Sequence, residues 1–99
     1  MIKKEKGPTE DTIAVTFELP DTIWAESVEL VGDFNDWGRV PLPMQRGRND
    51  ERWRATVNLR RGREYQFRYR VNGNEWYNDW DADRYVPNPY GGDNSVLVL

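Results

Sequence analysis

Apolar and polar residues alternate along most of this chain. Ile13, Val15, Phe17 and Leu19 are interleaved with Ala14, Thr16 and Glu18. A period of two predicts a strand with one buried face, and Pro20-Asp21 is expected to end it. Val28, Glu29, Leu30 and Val31 predict a short strand, stopped by Gly32-Asp33. Trp53, Ala55, Val57 and Leu59 then alternate with Arg52, Arg54, Thr56 and Asn58, and Arg61-Gly62 makes a turn. Tyr65, Phe67, Tyr69 and Val71 alternate with Glu64, Gln66, Arg68 and Arg70. Asn72-Gly73 is a hairpin signal, because both residue types accept positive φ. Glu75-Trp76-Tyr77 starts the return strand, and Ser95–Leu99 is a final strand.

Between these runs lie two long loops, residues 33–51 and 78–94, rich in Gly, Pro, Asn and Asp. No window carries a helical period. Short strands with turn signals between them predict an all-β, antiparallel β-sandwich. Residues 1–10 are expected to be a flexible lead-in, and residues 11–99 one domain.

Composition narrows the chemistry. Ninety-nine residues suffice for one hydrophobic core. No apolar run is long enough to cross a bilayer. The opening MIKKEKGPTEDT lacks the apolar segment of a secretory signal, so the cytoplasm is the expected location. With no His and no Cys, nucleophilic systems built on a histidine base and zinc sites of the usual type are excluded. No cofactor is expected. The net charge of −3 argues against nucleic acid. Residues 39–70 nevertheless hold ten arginines against Asp50, Glu51 and Glu64. A basic face could hold phosphate or RNA, but alternation with core residues favours reading these arginines as the wet face of strands. Asp33, Asp36, Asp79, Asp81 and Asp83 supply carboxylates for a small glycoside hydrolase, but their setting fits turns. Asp79, Asp81 and Asp83 also fail the calcium-loop template, with Arg84 and Tyr90 where Gly and Glu belong.

Five tryptophans call for sorting. Trp53, Phe17, Phe67 and Tyr65 belong to the core by their phase. Trp24 is expected to cap the core edge, and Trp80 to fold back as a lid. Trp37 has Asn35, Asp36 and Gly38 around it and no apolar neighbour. An exposed tryptophan is an amphipathic plate suited to binding. Nucleic-acid bases and pyranose rings both offer a flat apolar face with polar edges, and an acidic chain favours the uncharged ring. Arg68 lies on the polar face of its strand, with Trp76 just across the Asn72-Gly73 turn. A guanidinium and the amide of Asn94 match paired hydroxyls. Pattern alone leaves Arg68 equally readable as a solvated residue, and Asn94 as a turn former.

Taken in order, VELVGDFNDW, Pro43-Met44, RWRATVNLRRGREYQFRYRVNGNEW and YGGDNSVLVL resemble the family-48 carbohydrate-binding modules, the isoamylase N-terminal or early-set domain. The resemblance runs from about Thr12 to Leu99. Similar modules are usually attached to family-13 glycoside hydrolases, and one is the glycogen-binding domain of the AMP-activated protein kinase β subunit. The resemblance implies an immunoglobulin-like β-sandwich, non-catalytic, that binds α-1,4-glucan as glycogen, starch or maltooligosaccharide. It implies Trp37 and Trp76 as sugar platforms with Arg68 between them, Tyr90 as the residue reaching past the sugar, and Asn94 as a hydrogen-bonding residue. Three positions depart from the kinase-type modules. Arg68 replaces a lysine, Gly92 replaces a hydroxyl residue, and NDWDADRYVPNPYGG inserts Trp80, as in a branch of small bacterial proteins where the domain stands alone. The alternative is a protein-interaction module of glycogen or starch metabolism that has lost sugar binding, its partner an enzyme of that metabolism. Neither nucleic acid nor membrane is an expected partner.

Overall fold

The computed structural model describes residues 2–19 and 24–99. Nine strands form among them: β1 (Ile2–Lys6), β2 (Thr12–Leu19), β3 (Val28–Gly32), β4 (Gln45–Arg46), β5 (Trp53–Arg60), β6 (Glu64–Val71), β7 (Glu75–Tyr77), β8 (Arg84–Pro87) and β9 (Asp93–Val98). They make two antiparallel sheets. One has the order β1-β2-β5-β4; the other has the order β3-β6-β9-β8, with β7 also paired to β6. This is the all-β sandwich that the alternation predicts.

The period of two decides what is buried. Val15, Phe17, Leu19, Trp53 and Leu59 point inward from the first sheet, and Val28, Leu30, Phe67, Tyr69, Val71 and Leu97 from the second. At the centre, Phe67 meets Phe17 edge-on at 5.0 Å and Tyr69 edge-on at 5.8 Å, an arrangement that aligns ring edges with ring faces. Asn72 and Gly73 both take positive φ, 53° and 80°, as the β6–β7 hairpin requires.

Several expectations need correction. Ile2–Lys6 pairs with Lys6 opposite Ile13 and Ile2 opposite Phe17, where a flexible lead-in was expected. Lys4 Nζ ties this strand to the second sheet through Asp83 Oδ2 at 3.0 Å and the Val98 carbonyl at 3.1 Å. The 33–51 loop contains a 3₁₀ segment, Asp33–Gly38, and the short strand β4, while the 78–94 loop contains β8. The last strand begins two residues early, at Asp93. Trp24 and Trp80 are exposed, neither capping the core nor closing it. The expected stop at Pro20-Asp21 lies outside the described residues.

Most of the arginines are wet-face residues, as the alternation indicates. Arg52 and Arg54 share Glu18, Arg54 also holds Asp50, Arg46 meets Glu51, and Arg70 meets Glu29. Among the described residues no helix is long and apolar enough to cross a membrane.

Candidate functional site: an aromatic groove on the second sheet

Alternation along β6 turns Phe67, Tyr69 and Val71 inward and Gln66, Arg68 and Arg70 outward. Trp76 of β7 lies directly opposite Arg70, so its side chain joins the outer face. Its ring rests over both guanidiniums, 5.5 Å from Arg68 Cζ and 5.8 Å from Arg70 Cζ. Both cations are attracted to the indole's π system and help to hold it in place. Trp76 remains 41% exposed, so part of its surface is open to a ligand.

Trp37 reaches the same face from the 3₁₀ segment. The segment begins where β3 ends, because Gly32 packs against β6 with no room for a side chain. A Cβ there would stand 2.6 Å from the Gln66 carbonyl oxygen and 2.8 Å from Phe67 Cβ. Asn35, buried, then clasps the loop. Its Oδ1 accepts from Gly32 N–H at 2.8 Å, and its Nδ2 donates to the carbonyls of Leu30 and Val40 at 2.8 and 3.0 Å. Within the clasped loop Asp36 and Trp37 take left-handed backbone at φ 54° and 52°. That conformation is costly for a tryptophan and is found where surrounding structure over-determines it. The indole is fixed in turn by Asp33, whose Oδ1 accepts from Trp37 Nε1 at 2.8 Å and whose Oδ2 accepts from Gln66 N–H at 2.7 Å.

Between the plates runs a chain of amides. Asn94 Nδ2 donates to Gln66 Oε1 at 3.0 Å, and Asn88 Nδ2 donates to Asn94 Oδ1 at 3.3 Å. Asn88 Oδ1 accepts from the N–H groups of Tyr90 and Gly92, at 2.8 and 3.2 Å. This shapes the turn and leaves the Tyr90 side chain 93% exposed.

The result is a groove of about 780 Å³ lined by Asp33, Trp37, Gln66, Arg68, Trp76, Asn88, Pro89, Tyr90 and Asn94. All five residues singled out in the sequence, Trp37, Arg68, Trp76, Tyr90 and Asn94, line it. Asp33, Gln66, Asn88 and Pro89 were not foreseen as lining residues. The phase of Gln66 with Arg68 was the available signal for one of them. Asp33 is the only carboxylate in the lining and both its oxygens accept hydrogen bonds, so the groove holds no acid–base pair. Asp79 and Asp83 are employed elsewhere. Asp79 is 2% exposed and takes the Tyr69 hydroxyl at 2.5 Å, and Asp83 holds Lys4 and the Val98 N–H. Among the described residues no three His, Cys, Asp or Glu stand together as a metal site.

The sequence profile of carbohydrate-binding module 48, the isoamylase N-terminal domain, matches residues 22–91. No curated protein sequence matches the chain. Among solved structures, the enterobactin esterase FES from Shigella flexneri, crystallised in the presence of 2,3-dihydroxy-N-benzoyl-serine, is similar with a TM-score of 0.76 at 14% identity. The likeness covers 99% of this chain and 32% of the esterase chain, and at that identity it speaks for the fold alone. The profile match extends over well over half of the sequence, from the segment before β3 to the turn before β9. The chain therefore belongs to the carbohydrate-binding module 48 family, a family of binding modules and not of catalysts.

Proposed function

We propose that the groove binds α-1,4-glucan, with glucose rings stacked on Trp37 and Trp76. The observation that carries this reading is the convergence of two half-exposed indoles and an intervening guanidinium on one sheet face. A pyranose ring offers axial C–H bonds to an aromatic face, and its equatorial hydroxyls project sideways. Arg68 donates to such hydroxyls, and the amides of Gln66 and Asn94 both donate and accept. Tyr90, standing out from the turn, closes over the far side of the chain. The groove is open, so little of the ligand is desolvated and affinity is modest.

The left-handed backbone at Trp37 supports a platform role, since strain of this kind persists where a side chain must be held in one place. Electrophoresis in gels containing glycogen tests the reading. The native protein is retarded, and Trp37→Ala, with its circular dichroism unchanged, migrates as in a glycogen-free gel. Equal retardation of the two would contradict the assignment.

A further inference from the structure

Arg68 is set apart from its neighbours by what it lacks. Arg70, two residues along the same face, is paired with Glu29 Oε2 at 3.0 Å. The Nε atoms of both arginines are buried without an acceptor, but among the described residues Arg68 alone of the two has no carboxylate on its guanidinium. Asp33, the one carboxylate in the lining, bonds Trp37 Nε1 and Gln66 N–H and makes no ion pair with Arg68. Arg68 faces the Trp76 ring but makes no ion pair, and an oxyanion entering the groove would give its guanidinium a charge-assisted hydrogen bond.

The place for that anion lies beside Gly92. A Cβ at this position would stand 3.5 Å from Asn88 Nδ2 and 4.0 Å from Arg68 Nη2. Gly92 is not among the positive-φ residues, so its backbone does not demand glycine. The missing side chain leaves a niche with two donor groups on its walls. Asn88 Nδ2 spends one hydrogen on Asn94 Oδ1 and keeps one. Asp93 adjoins the niche in sequence, but strand alternation sends its side chain to the opposite face from Asn94. Arginine, unlike lysine, presents a planar fork that suits phosphate and carboxylate oxygens.

We propose that Arg68, Asn88 and Gly92 form a subsite for an anionic oxygen substituent on a glucosyl ring, a phosphate ester or a carboxylate. The inference rests on the glucan reading and deepens it, naming a charged glucan as the preferred ligand of the same groove.

The test compares glucose, glucose 6-phosphate and glucuronate at constant ionic strength, followed by the NMR signals of the indole N–H groups, with inorganic phosphate and maltoheptaose as references. The charged sugars are expected to bind about tenfold more tightly than glucose, the increment of one charge-assisted hydrogen bond. That advantage disappears in Arg68→Gln and in Gly92→Ala, where the added Cβ meets its neighbours at ordinary contact distance. Thermal unfolding verifies that both variants are folded. A gain with the phosphate ester alone, or with the carboxylate alone, supports the subsite and identifies the substituent. If maltoheptaose binds but the charged sugars are no tighter than glucose, the subsite is refuted and the glucan reading stands. Inorganic phosphate binding as tightly as glucose 6-phosphate would also refute it, since the sugar would contribute nothing. Binding of charged sugars without maltoheptaose keeps the subsite and removes the neutral-glucan reading.

Discussion

The Trp37 indole donates to the Asp33 carboxylate at 2.8 Å, and the other oxygen of that carboxylate accepts the Gln66 N–H at 2.7 Å. One side chain thus couples the aromatic plate to the backbone of β6. Asp33→Asn keeps at most one of these two bonds, because an amide has only one accepting oxygen. Maltoheptaose affinity is expected to fall about fivefold, as for loss of one solvent-accessible bond to a charged group. In a Trp37→Phe background there is no indole N–H to hold, so the same substitution should cost clearly less. Calorimetric titration of the four proteins checks this, and equal costs in both backgrounds would contradict the positioning role.

The strain at Trp37 has its own signature. At φ 52° a residue with a Cβ is disfavoured and glycine is not. Trp37→Gly should therefore be more stable than Trp37→Ala by about 1 kcal/mol in urea unfolding, reversing the usual order of these two residues. Neither variant should bind glucan.

Tyr69 and Asp79 form a buried pair at 2.5 Å. Burial first, and the Asp79 carboxylate second, push the tyrosine hydroxyl well above its ordinary value. A raised folded-state pKa means stability that is intact below the unfolded tyrosine value of about 10 and is lost as pH climbs toward the folded one. In an alkaline absorbance titration, one of the five tyrosines should ionise only as the protein unfolds. Tyr69→Phe should remove that step. It should also lower stability by about 2 kcal/mol, because Asp79 loses a partner in the interior.

Asp83 gives the acid-side counterpart. Burial alone would raise its carboxyl, but the Val98 N–H and Lys4 outweigh that and hold it below the usual range. Its contribution to stability is present above the unfolded carboxylate value and lost as pH falls through the lower folded one. Lys4→Met should move the Asp83 carboxyl titration upward by carbon-13 NMR. Deleting residues 2–7 should lower the melting temperature, because it removes β1 and this tie between the sheets.

The strands that carry one apolar face were legible because alternation records burial directly. β1 was not, since Lys3, Lys4 and Lys6 leave only Ile2 apolar, and a single apolar residue gives an edge strand no period to read. The groove was legible through Trp37, Arg68 and Trp76, large side chains in places that no core explains. Its supports were hidden. Asn35 between Phe34 and Asp36 reads as a turn former, yet the structure buries it as a clasp with three backbone bonds. Trp80 and Asp79 reverse the simplest expectation, for the acid is buried and the tryptophan exposed. Asp79 gains the Tyr69 hydroxyl, the Asp81 N–H on its other oxygen and Ser95 Oγ on its own N–H, and hydrophobicity alone does not anticipate such partners.

The most direct test of the account is an NMR titration of the labelled protein with maltoheptaose, with cellohexaose as the control. The account predicts saturable shifts of the Trp37 and Trp76 indole N–H signals and of the Gln66 and Asn94 amides with maltoheptaose alone. Identical spectra with and without maltoheptaose, or shifts confined to residues outside the groove, would contradict it.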